Sequence, residues 1–230
     1  MKILPAIAAF LLATGGIFSA SAKEYTLKSP DGNIAITLSD TDSKITLSAK
    51  HGNTTLLQAS PIALDIQGVK EAKSIKKVKA AKTVSETIKA PLYRQKEFHV
   101  EYNKLDARLD NGISIQIRAY DEGFAYRYAL KLDKQQVVVD EKADYKLPGN
   151  QMVYLSYTTN DKNPMAMAFQ NIYDATPLGN AKDKLAFLPA TVDYGDGLKM
   201  TILESDLKSY PGMWLKADTV ALELNAEIAP

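Results

Sequence analysis

The sequence contains no cysteine, which excludes disulfides, thiolate metal sites, iron–sulfur clusters, a thiol nucleophile and a lipid-modified N-terminal cysteine. Histidine is nearly missing too, with only His51 and His99, and Trp214 is the single tryptophan of 230 residues. Surplus charge is absent: 28 Lys and Arg stand against 27 Asp and Glu, a net of +1. Residues 23–230 balance at zero, because Lys2 is the only charge before them. Such neutrality argues against nucleic-acid binding, which needs concentrated cations to displace the counterions of phosphates. No 3.6-residue periodicity is sustained, no repeat of 20–50 residues stands out, and nothing beyond residue 22 is apolar enough to span a bilayer. What remains, 46% hydrophobic and 24% charged residues, is the composition of a folded globular domain.

The first 22 residues read as an export signal. A weakly basic start at Lys2 precedes the apolar run Ala6–Ala13, and Ser19-Ala20-Ser21-Ala22 supplies small residues for signal-peptidase cleavage after Ala22. The apolar stretch is shorter than the roughly 20 residues a spanning helix requires. The expectation is a protein of residues 23–230 that is periplasmic or secreted and free of the membrane once cleaved.

Beyond residue 23 the hydrophobic pattern has a period of two. Ile34, Ile36 and Leu38 alternate with Ala35, Thr37 and Ser39 after the turn sequence Ser29-Pro30-Asp31-Gly32. Ile45 and Leu47, then Leu64 and Ile66, continue the alternation around a loop at His51-Gly52-Asn53. The clearest hairpin joins Leu105, Ala107 and Leu109 to Ile113, Ile115 and Ile117 through Asn111-Gly112, a pair that suits a type I′ turn. A turn at Asp121-Glu122-Gly123 leads into Phe124, Tyr126 and Tyr128, and Gly195-Asp196-Gly197 marks a third hairpin. The fold class expected is all-β, with two packed antiparallel sheets.

Few residues stand out chemically. There is no Gly-x-Ser-x-Gly, phosphate-binding loop, His-Glu-x-x-His or EF-hand loop. Lysines crowd residues 70–89, as a polyanion or membrane patch would require. Without interleaved aromatics they fit better an exposed edge strand protected against edge-to-edge pairing. His51 and His99 read as solvated or structural, and Asp121 and Glu122 as a solvated turn. Tyr25, Tyr120, Tyr126, Tyr128, Tyr154 and Tyr157 offer faces for sugars, although alternating tyrosines more commonly belong to core or sheet surface. Glu204 is set apart by position: it closes the apolar strand Met200–Leu203 and precedes Ser205-Asp206-Leu207, which suggests a helical turn. A carboxylate there either projects from a rim or favours the start of a short helix through its dipole.

Three stretches carry a resemblance: Ser29–Asn33; Ile117-Arg118-Ala119-Tyr120-Asp121-Glu122-Gly123-Phe124-Ala125-Tyr126-Arg127-Tyr128; and Thr201-Ile202-Leu203-Glu204-Ser205-Asp206-Leu207-Lys208-Ser209-Tyr210-Pro211-Gly212-Met213. The first is common to many turns, whereas the second and third, about 80 residues apart, are specific. Together they resemble the N-terminal domain of glycoside hydrolase family 97, across nearly all of residues 23–230.

The resemblance implies a great deal. Family members are exported bacterial, exo-acting enzymes hydrolysing α-glucosides or α-galactosides, built from an N-terminal β-super-sandwich, a central (β/α)8 barrel and a C-terminal β-sandwich. Their catalytic acid and base or nucleophile lie on the barrel, and the N-terminal domain lends a Glu to an active-site calcium. The matching position here is Glu204, so Ca²⁺ is the implied cofactor and a carbohydrate the implied partner. The sequence ends at Ala229-Pro230, where entry to the barrel is expected, so no catalytic residue is assigned within it. The expected role is that of an N-terminal domain inactive alone; the alternative is a stand-alone carbohydrate-binding or scaffold sandwich.

Overall fold

The computed structural model describes residues 23–131, 135–166, 171–205, 207 and 210–229, without the side chains of residues 81 and 82. The expected signal segment 1–22 lies outside the described residues. Period-two burial turns the first four runs into a meander of antiparallel strands, β1 (Lys23–Lys28), β2 (Ile34–Thr41), β3 (Lys44–His51) and β4 (Thr54–Ile66). A second meander follows as a four-stranded sheet, β5 (Ile75–Lys89), β6 (Glu97–Leu109), β7 (Ser114–Tyr120) and β8 (Gly123–Ala129). β9 (Val138–Ala143) then returns to β4 and completes a five-stranded sheet. The remaining strands are β10 (Tyr145–Lys146), β11 (Met152–Tyr157), β12 (Asp174–Pro177), β13 (Leu185–Asp193), β14 (Lys199–Ile202), β15 (Met213–Asp218) and β16 (Glu223–Ile228). They form a seven-stranded sheet in the order β10-β16-β15-β13-β11-β12, with β14 also paired to β13.

The all-β expectation holds, but the strands divide into three hydrogen-bonded sheets rather than two. β4 is the reason. Its Thr54–Pro61 part pairs with β3 and its Ile62–Ile66 part with β9, so one long strand serves two neighbourhoods. On one side β1 and β2 pack against β6 and β7; on the other β4 and β9 abut β10 and β16. Alternation supplies the buried faces: Ile34, Ile36 and Leu38 from β2, Ile115, Ile117 and Ala119 from β7, and Ile45, Leu47 and Ala49 from β3. Each fully buried aliphatic side chain contributes about 1.5–3 kcal/mol relative to exposure. The Tyr194 hydroxyl ties the β13–β14 turn to the first sheet by donating to the Leu56 carbonyl at 2.6 Å.

The turns follow the sequence with one correction. Positive φ at Gly195, Asp196 and Gly197 closes the β13–β14 hairpin as expected. At Asn111-Gly112 the expected type I′ turn would place both residues at positive φ, but among the described residues of this turn only Gly112 does so, at +89°. The Gly112 N–H donates to the Leu109 carbonyl (3.2 Å) and the Leu109 N–H to the Ile113 carbonyl (2.8 Å), the pattern of a type I turn followed by a glycine bulge. Side-chain bonds select this form. The Asn111 Oδ1 accepts from the Ile113 N–H, and its Nδ2 donates to the Lys70 carbonyl. The lysine-rich segment becomes β5, an edge strand of its sheet, with Lys76, Lys77, Lys79 and Lys89 exposed along it.

Carboxylates in the turns make the fold sensitive to acid. At Asp31 the Ser29 hydroxyl, then the Asn33 N–H and side chain, hold the carboxyl below its usual range. Asp218 is held down likewise by the N–H groups of Ala221 and Val220. A carboxylate depressed on folding adds stability above its unfolded pKa and loses it as pH falls through its folded value. The thermal midpoint of the domain should therefore fall between about pH 5 and about pH 2.5, and Asp31→Asn should show a shallower fall over that interval. Parallel slopes for the two proteins would contradict this.

Candidate functional site

The candidate carboxylate, Glu204, leaves the end of β14 between two exposed leucines, Leu203 and Leu207. The helical turn expected after it falls partly on Asp206, which lies outside the described residues; Ser205 and Leu207 on either side carry no helical structure. Glu204 caps a strand instead of a helix. Both of its carboxylate oxygens accept from the N–H of Met213, the first residue of β15, at 3.1 Å. Gly212 lies alongside both Glu204 and Trp214. A Cβ there would sit 3.5 Å from Glu204 Oε1 and 3.7 Å from the Trp214 ring. Burial raises the Glu204 pKa above the ordinary carboxylate value, and the Met213 N–H counters part of that rise.

A second carboxylate, which sequence reasoning did not single out, lies within its field. Glu141 is half-buried on β9, and the Tyr210 hydroxyl donates to its Oε2 at 2.5 Å. Burial chiefly raises the Glu141 pKa; the Tyr210 hydrogen bond lowers it, and the negative charge of Glu204 raises it further. Tyr126 and Tyr128 from β8, Tyr145 from β10 and Tyr210 all have hydroxyls pushed upward, by burial first, with Glu141 adding to each. The rings of Tyr126 and Tyr128 are perpendicular, with centroids 6.1 Å apart. The result is a pair of coupled carboxylates walled by tyrosines, where β8, β9, β10 and the link between β14 and β15 converge.

This places two of the three resembling stretches together, since Tyr126 and Tyr128 come from the second and Glu204 and Tyr210 from the third. The first meets the second elsewhere, where the Asp31 N–H donates to Asp121 Oδ1 at 2.9 Å. Asp121 and Glu122 are exposed on the two-residue turn between β7 and β8, as expected of a solvated turn. His99 is exposed beside Ser85 and Glu101, and His51 ends β3. Tyr157 is buried and Tyr25, Tyr120, Tyr126, Tyr128 and Tyr154 are half-buried, as residues of core or sheet surface are.

The glycosyl-hydrolase 97 N-terminal family model matches residues 27–229. The chain belongs to this family. Over 216 residues it is 34% identical to a retaining alpha-galactosidase of Bacteroides thetaiotaomicron, a match covering 90% of this chain and 32% of that protein. A glycoside hydrolase family 97 enzyme from Pseudoalteromonas sp. strain K8, solved with acarbose, superposes with a TM-score of 0.74 at 21% identity over 90% of this chain and 32% of its own. A beta-arabinopyranosidase shares the fold with a TM-score of 0.79 at 15% identity, over 89% of this chain and 35% of its own. The chain thus spans about a third of the length of these relatives.

Within the family 97 N-terminal domain, the Ile117–Tyr128 stretch has a largely structural task. Arg118 stacks on the Tyr102 ring at 4.4 Å and pairs with Glu86 at 3.3 Å, while Tyr102 and Tyr120 pack with centroids 5.1 Å apart. In the groove beside Thr158 and Pro164, Lys184 pairs with Asp161 and Lys216 with Asp183. Among the described residues no three His, Asp or Glu side chains gather to hold a metal ion. The donor chemistry of Glu204 nonetheless suits calcium, which takes hard carboxylate oxygens. With one N–H as its recorded protein partner, Glu204 fits as a single ligand in a shell completed by other groups.

Proposed function

We propose that this domain serves a calcium-dependent, exo-acting α-glycosidase, supplying packing surface and the Glu204 carboxylate to an active site on a (β/α)8 barrel. The observation that carries this reading is Glu204 itself, held at a strand end by the Met213 N–H and flanked by the exposed Leu203 and Leu207. Exposed apolar side chains beside a functional polar group are what a surface shared with another domain looks like. The 34% identity with a retaining alpha-galactosidase supports an α-galactoside as the substrate class, with α-glucosides the close alternative within the family. The acid/base and nucleophilic carboxylates of glycoside hydrolysis belong to the barrel; residues 23–230 perform neither step. Export to the periplasm or the medium through residues 1–22 is part of the same proposal.

Calcium tests the reading directly. One carboxylate cannot replace the six to eight oxygens around Ca²⁺, so residues 23–230 should bind it only at about 10⁻³ M or weaker. In a chimera joining them to a family barrel, Glu204→Gln should weaken both activity and its calcium dependence while the melting transition stays in place. Calorimetry showing micromolar Ca²⁺ binding by residues 23–230, undiminished in Glu204→Gln, would contradict the assignment. So would turnover of aryl α-galactosides or α-glucosides by the domain alone. Saturable binding of oligosaccharides without a barrel would instead favour an independent carbohydrate-binding sandwich.

A further inference from the structure

We propose that Glu141 and Tyr210 are positioning residues for Glu204: their hydrogen bond latches the segment carrying the Glu204 carboxylate to a different sheet. The functional significance of the latch rests on the reading of Glu204 as a metal ligand. Residues 203–212 link β14 to β15 without strand or helix hydrogen bonding of their own among the described residues. A carboxylate shared with another domain must be held in place to contribute to it. The ties of this link to the seven-stranded sheet are at its ends: Met213 N–H to Glu204, and Ala229 N–H to the Gly212 carbonyl at 3.1 Å. Among the described residues a tie to the five-stranded sheet comes from Tyr210, whose hydroxyl reaches Glu141 on β9, 69 residues away in sequence.

The chemistry of this contact suits a latch. An O–H donor to a carboxylate makes a short, charge-assisted bond, stronger than a bond between neutral groups. The contact is part-buried, where water competes weakly for either partner. It also offsets a cost, because the charge of Glu204 adds to the burial that disfavours the charged form of Glu141, and the Tyr210 hydrogen bond counters both. Tyr128 and Tyr145 enclose the pair from β8 and β10 but leave Tyr210 as the hydroxyl recorded on Glu141.

The Met213 amide reports on the latch, since its protection depends on the Glu204 carboxylate staying in place. Hydrogen exchange should be compared in the full chain, in Tyr210→Phe, Glu141→Leu, their double variant and Glu141→Gln. Losing a charge-assisted bond should speed Met213 exchange by about tenfold in Tyr210→Phe and Glu141→Leu. The double variant should be no faster than either single one, because both remove the same bond. Glu141→Gln keeps an oxygen acceptor for Tyr210 and should restore protection. The Ile117 amide, remote on β7, should exchange alike in all five proteins. Unchanged Met213 exchange in Tyr210→Phe, which deletes one oxygen and no packing, would overturn the latch. So would Glu141→Gln exchanging as fast as Glu141→Leu.

A second titration separates the latch from the metal reading. Terbium, a trivalent stand-in for calcium, emits when energy passes from a nearby indole, and Trp214 lies against the Gly212 position that also touches Glu204. Emission excited through Trp214 should require Glu204, weaken about threefold or more in Tyr210→Phe, and return in Glu141→Gln. Emission indifferent to Glu204→Gln would sink the metal reading, whereas the exchange data would still decide the latch.

Discussion

Replacing Ile117 with alanine should cost the domain about 2–5 kcal/mol of unfolding free energy, the range found when a large aliphatic side chain is cut from a close-packed core. Ile117 is 1% exposed at the centre of β7, opposite Leu105 on β6 and Tyr126 on β8. Its strand packs on β2, whose Ile36 and Leu38 are fully buried, so the lost methyl and ethyl groups leave a void between two sheets. Neither sheet can close over that void without breaking ladder hydrogen bonds on both sides of β7. Domains of this kind are stable by about 5–15 kcal/mol, so the variant should shift the urea midpoint by a large fraction of the total at unchanged slope. Ile88→Ala is the control. It changes the same side chain, but near the far end of the edge strand, where it is 46% exposed, and should cost about 0.5 kcal/mol or less. Equal losses for Ile117→Ala and Ile88→Ala would mean that β7 does not lie at the centre of the core.

The residues of that core were legible because burial in this fold follows the pleat. Ile34, Ile36, Leu38, Ile115 and Ile117 alternate in sequence and are buried in the structure, and the Lys-rich β5 reads and sits as an edge. Sheet count was less legible, since the hand-over within β4 from β3 to β9 depends on a strand pairing nearly eighty residues further on, which local periodicity cannot register. The site divides the same way. Glu204 stood out from the apolar strand before it and from the resembling stretch around it. Glu141 did not: Val138-Val139-Asp140-Glu141-Lys142 is an unremarkable polar strand, and the carboxylate acquires meaning only where Tyr210 reaches it. The N–H partner of the Glu204 carboxylate was equally out of reach of local pattern, because it is Met213, nine residues away.

Gly112→Val should destabilise the domain by about 1–3 kcal/mol through backbone strain. Gly112 has a φ of +89°, and a Cβ built there meets no atom within 4 Å, so the Cβ itself has space and the cost lies in the backbone conformation. The left-handed region is costly for any residue with a Cβ and most costly for a β-branched one, whose side chain crowds its own backbone. Position 112 cannot relax, because its N–H is bonded to the Leu109 carbonyl and the next residue is locked between the Asn111 side chain and the Leu109 N–H. Gly112→Asn separates strain from the mere loss of glycine. Asparagine tolerates positive φ better than valine, so it should cost distinctly less at the same site. Chemical denaturation of the three proteins should therefore rank parent, Asn, Val in falling stability. Equal stability for Gly112→Asn and Gly112→Val would show that φ at this turn is not what holds β6 and β7 in register.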